Sequence, residues 1–346
     1  MAAKRIRFSF DTGTTWSTLP GSTGERQTEL EPVKDTVFGQ NWESEQPSIG
    51  KWMVSANAYY KGFAGYTAVI KQTGTPTAMT GEATTLVSGK TYQITAASKR
   101  VISYTSSLTV LDNGVDQTAN VESVDYLSGQ VTFKAAYTPT GPITITGSYL
   151  PLAVLAKARG FQLTQTSAEI DTSDYETAQA NGGWRTYKNG LKTVKLEVTG
   201  VYDATNKFTT VMAARSLVIV EVAIDGASAN SVFRGFFKRT AHSQKGDVGA
   251  LEEQTLTFSL WVPDGDLVLA PFKWYIGAGS TLNASVKGII NAFQSSTGFM
   301  VEYAPEDDTE VYRGDCIVTE ASLSNNFDGQ NEFRVNVRGS GAATVV

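Results

Sequence analysis

Histidine, cysteine and paired carboxylates carry much of enzyme chemistry near neutral pH, and this chain almost lacks the first two. His242 is its only histidine and Cys316 its only cysteine. His242 sits in Thr240-Ala241-His242-Ser243-Gln244. There it would have to act as general base for Ser243. Adjacent residues on a strand point to opposite faces, so a solvated loop histidine is the simpler reading. One His and one Cys leave no material for a zinc ligand set. Pro305-Glu306-Asp307-Asp308-Thr309-Glu310 is the one dense acidic run. It lacks the glycine and the interleaved spacing of a calcium loop and reads as a solvated hairpin tip. Asp11-Thr12-Gly13 matches the aspartic-protease triplet, but a single copy at a strand exit is explained as a turn. Gly277-Ala278-Gly279-Ser280-Thr281 lacks the Lys-Ser/Thr ending of a phosphate loop and reads as a linker. No catalytic, cofactor-binding or metal-binding residue is assigned, no cofactor is expected, and the chain is expected not to be an enzyme. A carboxylate-only glycosidase would need a pair that nothing here marks.

The composition points to strands instead. Of 346 residues, 18% are charged and 32 are glycine. That charge is below the usual quarter or so, and Thr, Ser and Ala fill the gap. The net charge of −5 argues against a protein that grips phosphates. It suits a surface past which nucleic acid slides. Lys4-Arg5, Lys99-Arg100 and Lys238-Arg239 are isolated basic pairs without interleaved aromatics. A single cysteine excludes an internal disulfide framework, which fits a cytosolic or bacterial assembly site. MAAKRIRFSF has no apolar run after its basic residues, so no signal peptide is expected. No segment reaches the roughly 18 apolar residues of a membrane helix.

Strand-like alternation is widespread. Strands are expected at 5–10, 52–60, 101–110, 192–202, 216–224, 232–240, 255–262, 311–319 and 332–338. A further pair, 130–137 with 143–150, is expected around Pro139 to Pro142. Asp112-Asn113-Gly114 is expected to form a type I′ hairpin turn. Helices are expected at 283–295, stopped by Gly298, and at 206–215. Asp11 to Val33, Ile170 to Gly183 and Ala241 to Glu253 read as long polar loops available for contacts between copies.

The second half repeats itself. Val232-Phe233-Arg234-Gly235 recurs as Val311-Tyr312-Arg313-Gly314. Each follows a helix signal and an apolar strand holding one glutamate, Glu221 or Glu302. Each precedes an alternating strand about twenty residues on. More loosely, Gly183-Trp184 with 193–202 matches Trp42 with 53–60. The expected organisation is therefore 1–72 with 265–346 as a first, split unit. Residues 73–150 form an inserted β-module, and 151–264 form the second unit.

Ser55-Ala56-Asn57-Ala58-Tyr59-Tyr60-Lys61-Gly62, Gly74 to Ala83 and Thr91 to Thr95 form one ordered set of motifs. Gly147-Ser148-Tyr149-Leu150-Pro151 and Arg338-Gly339-Ser340-Gly341 complete it. With these the chain resembles the tail tube (major tail) proteins of long-tailed bacteriophages. The resemblance implies mainly β architecture, with sandwich or half-barrel units each flanked by one short helix. It implies self-assembly into stacked rings in the virion tail, put together in the host bacterial cytoplasm. Its partners would be itself, other tail proteins and transiently passing DNA, with no membrane. Two units per chain imply three chains in a pseudo-hexameric ring, with 73–150 outside the channel. Glu197 and Glu302 are candidates for the channel wall. Rival readings are a capsid decoration protein, or a carbohydrate-binding module stacking sugars on Trp16, Trp42 or Trp184.

Overall fold

The computed structural model describes residues 5–34, 45–59, 69–155, 158–201, 217–224, 231–246, 252–262, 270–277, 280–305, 310–326 and 331–346. The protein is mainly β and divides into two compact units. Unit 1 comprises Met1–Tyr66, Arg159–Gly200 and Gly279–Val346; unit 2 comprises Thr67–Ala158 and Val201–Ala278. The chain begins in unit 1 with β1 (Arg5–Ser9), β2 (Ser17–Thr18), β3 (Thr23–Lys34) and β4 (Glu45–Tyr59). Unit 2 then takes β5 (Val69–Thr73), β6 (Thr77–Ser88), β7 (Thr91–Ile94), β8 (Thr109–Asp112), β9 (Val115–Asp116), β10 (Val121–Asp125), β11 (Gln130–Phe133), β12 (Ile143–Tyr149) and β13 (Leu152–Val154). The next elements are β14 (Ala158–Asp171), α1 (Tyr175–Ala180) and β15 (Tyr187–Val201), which lie in unit 1 but for their end residues. Unit 2 resumes with β16 (Leu217–Ala223), β17 (Ser231–Lys245), β18 (Glu253–Leu260) and β19 (Phe272–Ile276). Unit 1 closes with α2 (Ala284–Ser295), β20 (Phe299–Ala304), β21 (Tyr312–Asn326), β22 (Glu332–Gly339) and β23 (Thr344–Val345).

In unit 1, strands β3, β4, β22, β21, β14 and β15 lie side by side. Strict alternation sends one residue in two to a buried face. That face carries Val54, Ala56, Phe333, Val335, Leu323, Leu163, Leu196 and Val198, all buried. The apolar spacing of Val286, Ile289, Ile290 and Phe293 makes α2 amphipathic, and all four are buried. Each such side chain contributes about 1.5–3 kcal/mol by leaving water. The helix ends at Ser296, which adopts φ +56°, rather than at Gly298. Trp52 lies beneath Gly314 and Gly339, where a Cβ would meet the indole at 2.5 and 2.0 Å. Its Nε1 donates to the Gly341 carbonyl at 2.9 Å. Only glycine leaves room for that ring.

In unit 2, β13, β5, β16, β17 and β18 form the main sheet, with β19 also on β17. Strands β6 to β12 pair among themselves in the order β10-β11-β7-β6-β12-β8-β9. They enclose their own core of Met79, Ile94, Ile102, Val110, Val131, Phe133, Ile143 and Ile145. Asn113 (φ +51°) and Gly114 (φ +79°) supply the two positive φ angles that a type I′ turn requires. The module is moored to the sheet by Val101, Leu127 and Leu150 against Ile219 and Phe236. Lys273 Nζ lies 2.8 Å from Asp125 Oδ2, and Arg234 Nη1 donates to the Leu127 carbonyl at 2.6 Å.

Several expectations change. Residues 159–200 join the terminal segments, because β14 pairs β21 from Gly160↔Asn326 to Thr166↔Glu320. The 101–110 strand is β8 alone. Val101 packs on the main sheet while Ile102 packs in the module core, so consecutive residues serve two cores. Strands β11 and β12 do not pair with each other: β11 joins β10 and β7, and β12 joins β6 and β8. The buried Asp112 carboxylate explains it, taking the Thr140 and Gly141 amides at 2.8 and 2.7 Å and holding that turn beside β8. Among the described residues, the polar stretches 11–33 and 241–253 are largely strand, in β2, β3, β17 and β18. The helix expected at 206–215 lies outside the described residues.

Candidate assembly surface

The repeat seen in the sequence is a repeat of geometry. In unit 2, Glu221 on β16 faces Lys71 on β5 and Arg234 on β17. Its oxygens accept from Lys71 Nζ at 2.8 Å and Arg234 Nε at 2.7 Å. In unit 1, Glu302 on β20 faces Arg7 on β1 and Arg313 on β21. Its oxygens accept from Arg7 Nε at 2.6 Å and Arg313 Nε at 2.7 Å. Both glutamates are buried, at 2% and 0% exposure. Burying a carboxylate is costly unless it is paired and hydrogen-bonded, and both oxygens are used in each case. Glu302 is therefore no wall residue: it is sealed inside unit 1.

Register repeats too. In unit 2, Phe237 pairs Leu260 and Ala241 pairs Thr257, with Thr240 bulged between Arg239 and Ala241. In unit 1, Cys316 pairs Gly339 and Glu320 pairs Asn336, with Thr319 bulged between Val318 and Glu320. All four pairs and both bulges keep one constant offset along the chain. Each bulged threonine sends its hydroxyl to a carbonyl across the strand, Thr240 to Thr257 at 3.4 Å and Thr319 to Asn336 at 3.1 Å. A bulge bends its strand and increases the local twist, so both sheets turn at the same place. After the last long strand each unit returns a short one: β19 places Lys273 opposite Arg234, and β23 places Thr344 opposite Arg313. The sequence match of Arg-Gly motifs signalled this repeat; the bulge had no sequence signal beyond a shared threonine.

The other face of the unit 1 sheet is mostly polar across six strands, with Met53 and Leu191 as apolar exceptions. Register places Thr23, Glu25 and Gln27 of β3 beside Asn57, Ser55 and Met53 of β4. Next come Arg334, Asn336 and Arg338 of β22, then Ser322 and Glu320 of β21. Thr164 and Thr166 of β14 follow, and Thr166 Oγ1 meets Thr193 Oγ1 of β15 at 2.9 Å. Glu197 lies on this face, 2.6 Å from Lys195. Acidic and basic groups alternate here, so the face is mixed in charge rather than uniformly acidic. In unit 2 the corresponding residues are Ala241, Ser243 and Lys245 of β17 and Thr257, Thr255 and Glu253 of β18.

The remaining candidate residues have structural placements. His242 and Ser243 are consecutive on β17 and point to opposite faces. Asp11 is an exposed turn carboxylate that accepts from the Thr15 hydroxyl and amide and from the Ser9 hydroxyl at 2.5, 2.9 and 2.8 Å. Those donors, led by the Thr15 hydroxyl, lower its pKa from 3.8 to about 2. Cys316 is buried, and burial pushes its thiol well up. Residues 306–309 of the acidic run lie outside the described residues, and among the described residues no His, Cys, Asp and Glu group forms a metal cluster. The Trp16 ring has the guanidiniums of Arg7 and Arg313 at 5.7 and 5.2 Å from its centroid. Trp184 packs where Gly50 has no side chain, and Trp42 lies outside the described residues. No helix among the described residues is long and apolar enough to cross a membrane.

No protein-family model matches the chain, and no curated protein matches it. Among solved structures, it is similar to a chain of the tail of an empty gene transfer agent particle, refined helically with C6 symmetry. The two are 16% identical over 32% of this chain and 81% of that chain, with a TM-score of 0.28. It is also similar to a chain of the virion of a native gene transfer agent particle. There the identity is 17%, the coverage 31% and 82%, and the TM-score 0.27.

Proposed function

We propose that this chain is a structural protein of a phage-like tail, assembling with copies of itself into stacked rings around a channel that DNA traverses. The observation that supports it best is the six-strand sheet of unit 1, one face polar but for Met53 and Leu191 and the other apolar, with α2 packed against β21. A sheet with one wet and one dry face is what a channel wall needs. Alternating charges keep such a wall hydrated without the clustered cations that would hold DNA. The repeated strand unit supplies two wall segments per chain, so three chains supply six. A module present once per chain sits on the outside, where it leaves the channel clear. The sequence resemblance to tail tube proteins points the same way.

Electron microscopy of the purified chain at high concentration tests this. Open-centred rings or stacked tubes are the expected result. Dispersed monomers at every salt and protein concentration would overturn it and favour a decoration or glycan-binding role.

A further inference from the structure

Strand β21 takes two partners in turn along one edge, β20 over Tyr312–Cys316 and β14 over Glu320–Asn326. Its opposite edge is held by β22 from Cys316 to Ser324. Ile317, Val318 and Thr319 fall between the two partners, and beside them unit 1 holds a cleft of about 640 Å³. Pockets that take small organic molecules span roughly 300–1,000 Å³. Phe10, Phe299, Met300 and Ile317 form an apolar lining, with the Phe10 ring 40% exposed and 5.2 Å from that of Phe299. Two lining residues are charged, Lys188 and Asp315, both exposed and opposite in sign. The cleft therefore selects neither an anion nor a cation.

Asn189 of β15 is the anomaly in that lining. Its Oδ1 and Nδ2 are both buried without a hydrogen-bond partner among the described residues. Polar neighbours in the cleft are already engaged. Ser340 Oγ accepts from the Tyr187 amide at 3.0 Å and donates to the Tyr187 carbonyl at 3.2 Å. Thr297 Oγ1 meets Ser295 Oγ at 2.7 Å. Buried polar groups are nearly always hydrogen-bonded, and leaving a donor and an acceptor unmade is destabilising. Chains keep such violations at functional sites, where something else completes them. A carboxamide offers a donor and an acceptor side by side, and another amide answers both.

We propose that this cleft binds a neutral apolar amide, its apolar side chain against Phe10, Phe299 and Met300 and its amide paired with the Asn189 carboxamide. A free capped amino acid and an apolar residue exposed on a partner's chain share that chemistry. The site lies wholly within unit 1 and does not depend on the ring-forming reading.

The test titrates the full chain with N-acetyl-leucinamide, with N-acetylglycinamide and with a capped tripeptide centred on leucine, followed by ligand-observed NMR. N-acetyl-leucinamide is expected to bind at least about tenfold more tightly than N-acetylglycinamide, the factor for burying a leucine side chain. Asn189→Leu and Asn189→Ala are each expected to weaken that binding by about tenfold while leaving the thermal midpoint of the free chain unchanged or higher, because they remove an unmet donor and acceptor. A purely structural asparagine would not give that opposition of effects. Tighter binding of the tripeptide than of N-acetyl-leucinamide assigns the cleft to a partner's chain, and equal or weaker binding assigns it to the free amide. Absence of binding overturns the proposal. So does binding that the missing side chain or the Asn189 substitutions leave unchanged, or midpoints that both substitutions lower.

Discussion

Glu302 and Glu221 are the residues on which each unit's outer strands converge, and they illustrate why a buried acid is not evidence of chemistry. Each has a cation from either neighbouring strand, and removing the carboxylate leaves two cations facing each other at Glu221 and three at Glu302, where Arg5 lies 3.7 Å from the same carboxylate. Breaking a buried pair costs about 3–5 kcal/mol. Arg7 and Arg313 are 25% and 32% exposed, whereas Lys71 and Arg234 are 23% and 12% exposed. Water therefore compensates Glu302→Gln better than Glu221→Gln. Both variants are expected to lower the denaturation midpoint, Glu221→Gln more, while Glu197→Gln at an exposed pair stays within about 0.5 kcal/mol of the parent. Equal midpoints for all three would mean that the clusters are not structural. Asp11 carries a separate pH signature. With its pKa lowered from 3.8 to about 2, its contribution is complete above the ordinary value and is lost as pH falls through about 2. Asp11→Asn is expected to flatten the acid limb of stability between those values, read by thermal melts across that range.

At the scale of elements, what was legible in the sequence was whatever alternation or helical spacing encodes. Strand β1, helix α2, the Asn113-Gly114 turn and the Arg-Gly repeat all emerge from local pattern. Pairing partners do not. The sequence places strands on both sides of Pro139 to Pro142 but holds no sign that a distant buried carboxylate keeps them apart. Burial pushes the Asp112 pKa up, the hydrogen bonds from Tyr137, Thr140 and Gly141 push it down, and the net shift is downward. Asp112→Ala strands those donors at the module's edge and is expected to destabilise the module by about 2–3 kcal/mol. Loss of the module's unfolding transition, with the rest of the chain melting as before, would be the readout. The polar stretches misread as loops fail for a similar reason: β3 and the end of β17 are exposed on most sides, so no hydrophobic alternation marks them as strand.

At the scale of the whole molecule, duplication and insertion make opposite demands on an assembly, and that difference is measurable. The strand unit with its buried glutamate, bulged threonine and return strand occurs twice per chain. The β6–β12 module occurs once. A closed ring of chains must repeat each feature as often as its copies dictate. Three chains therefore give six wall segments but only three modules, whereas six chains give twelve segments and six modules. Averages of rings viewed end-on, computed without imposed symmetry, are expected to show an inner wall of near-sixfold appearance carrying three outer lobes. Deleting 75–150, whose flanking residues Gly74 and Pro151 already meet through a 2.9 Å backbone hydrogen bond, removes those lobes. The deletion also uncovers Ile219 and Phe236, so it is expected to need polar residues at both positions to remain soluble. Rings that keep their diameter and lose only the outer density would place the module outside the wall. Rings with six outer lobes in the full-length chain would mean six copies and would make the internal duplication irrelevant to ring symmetry.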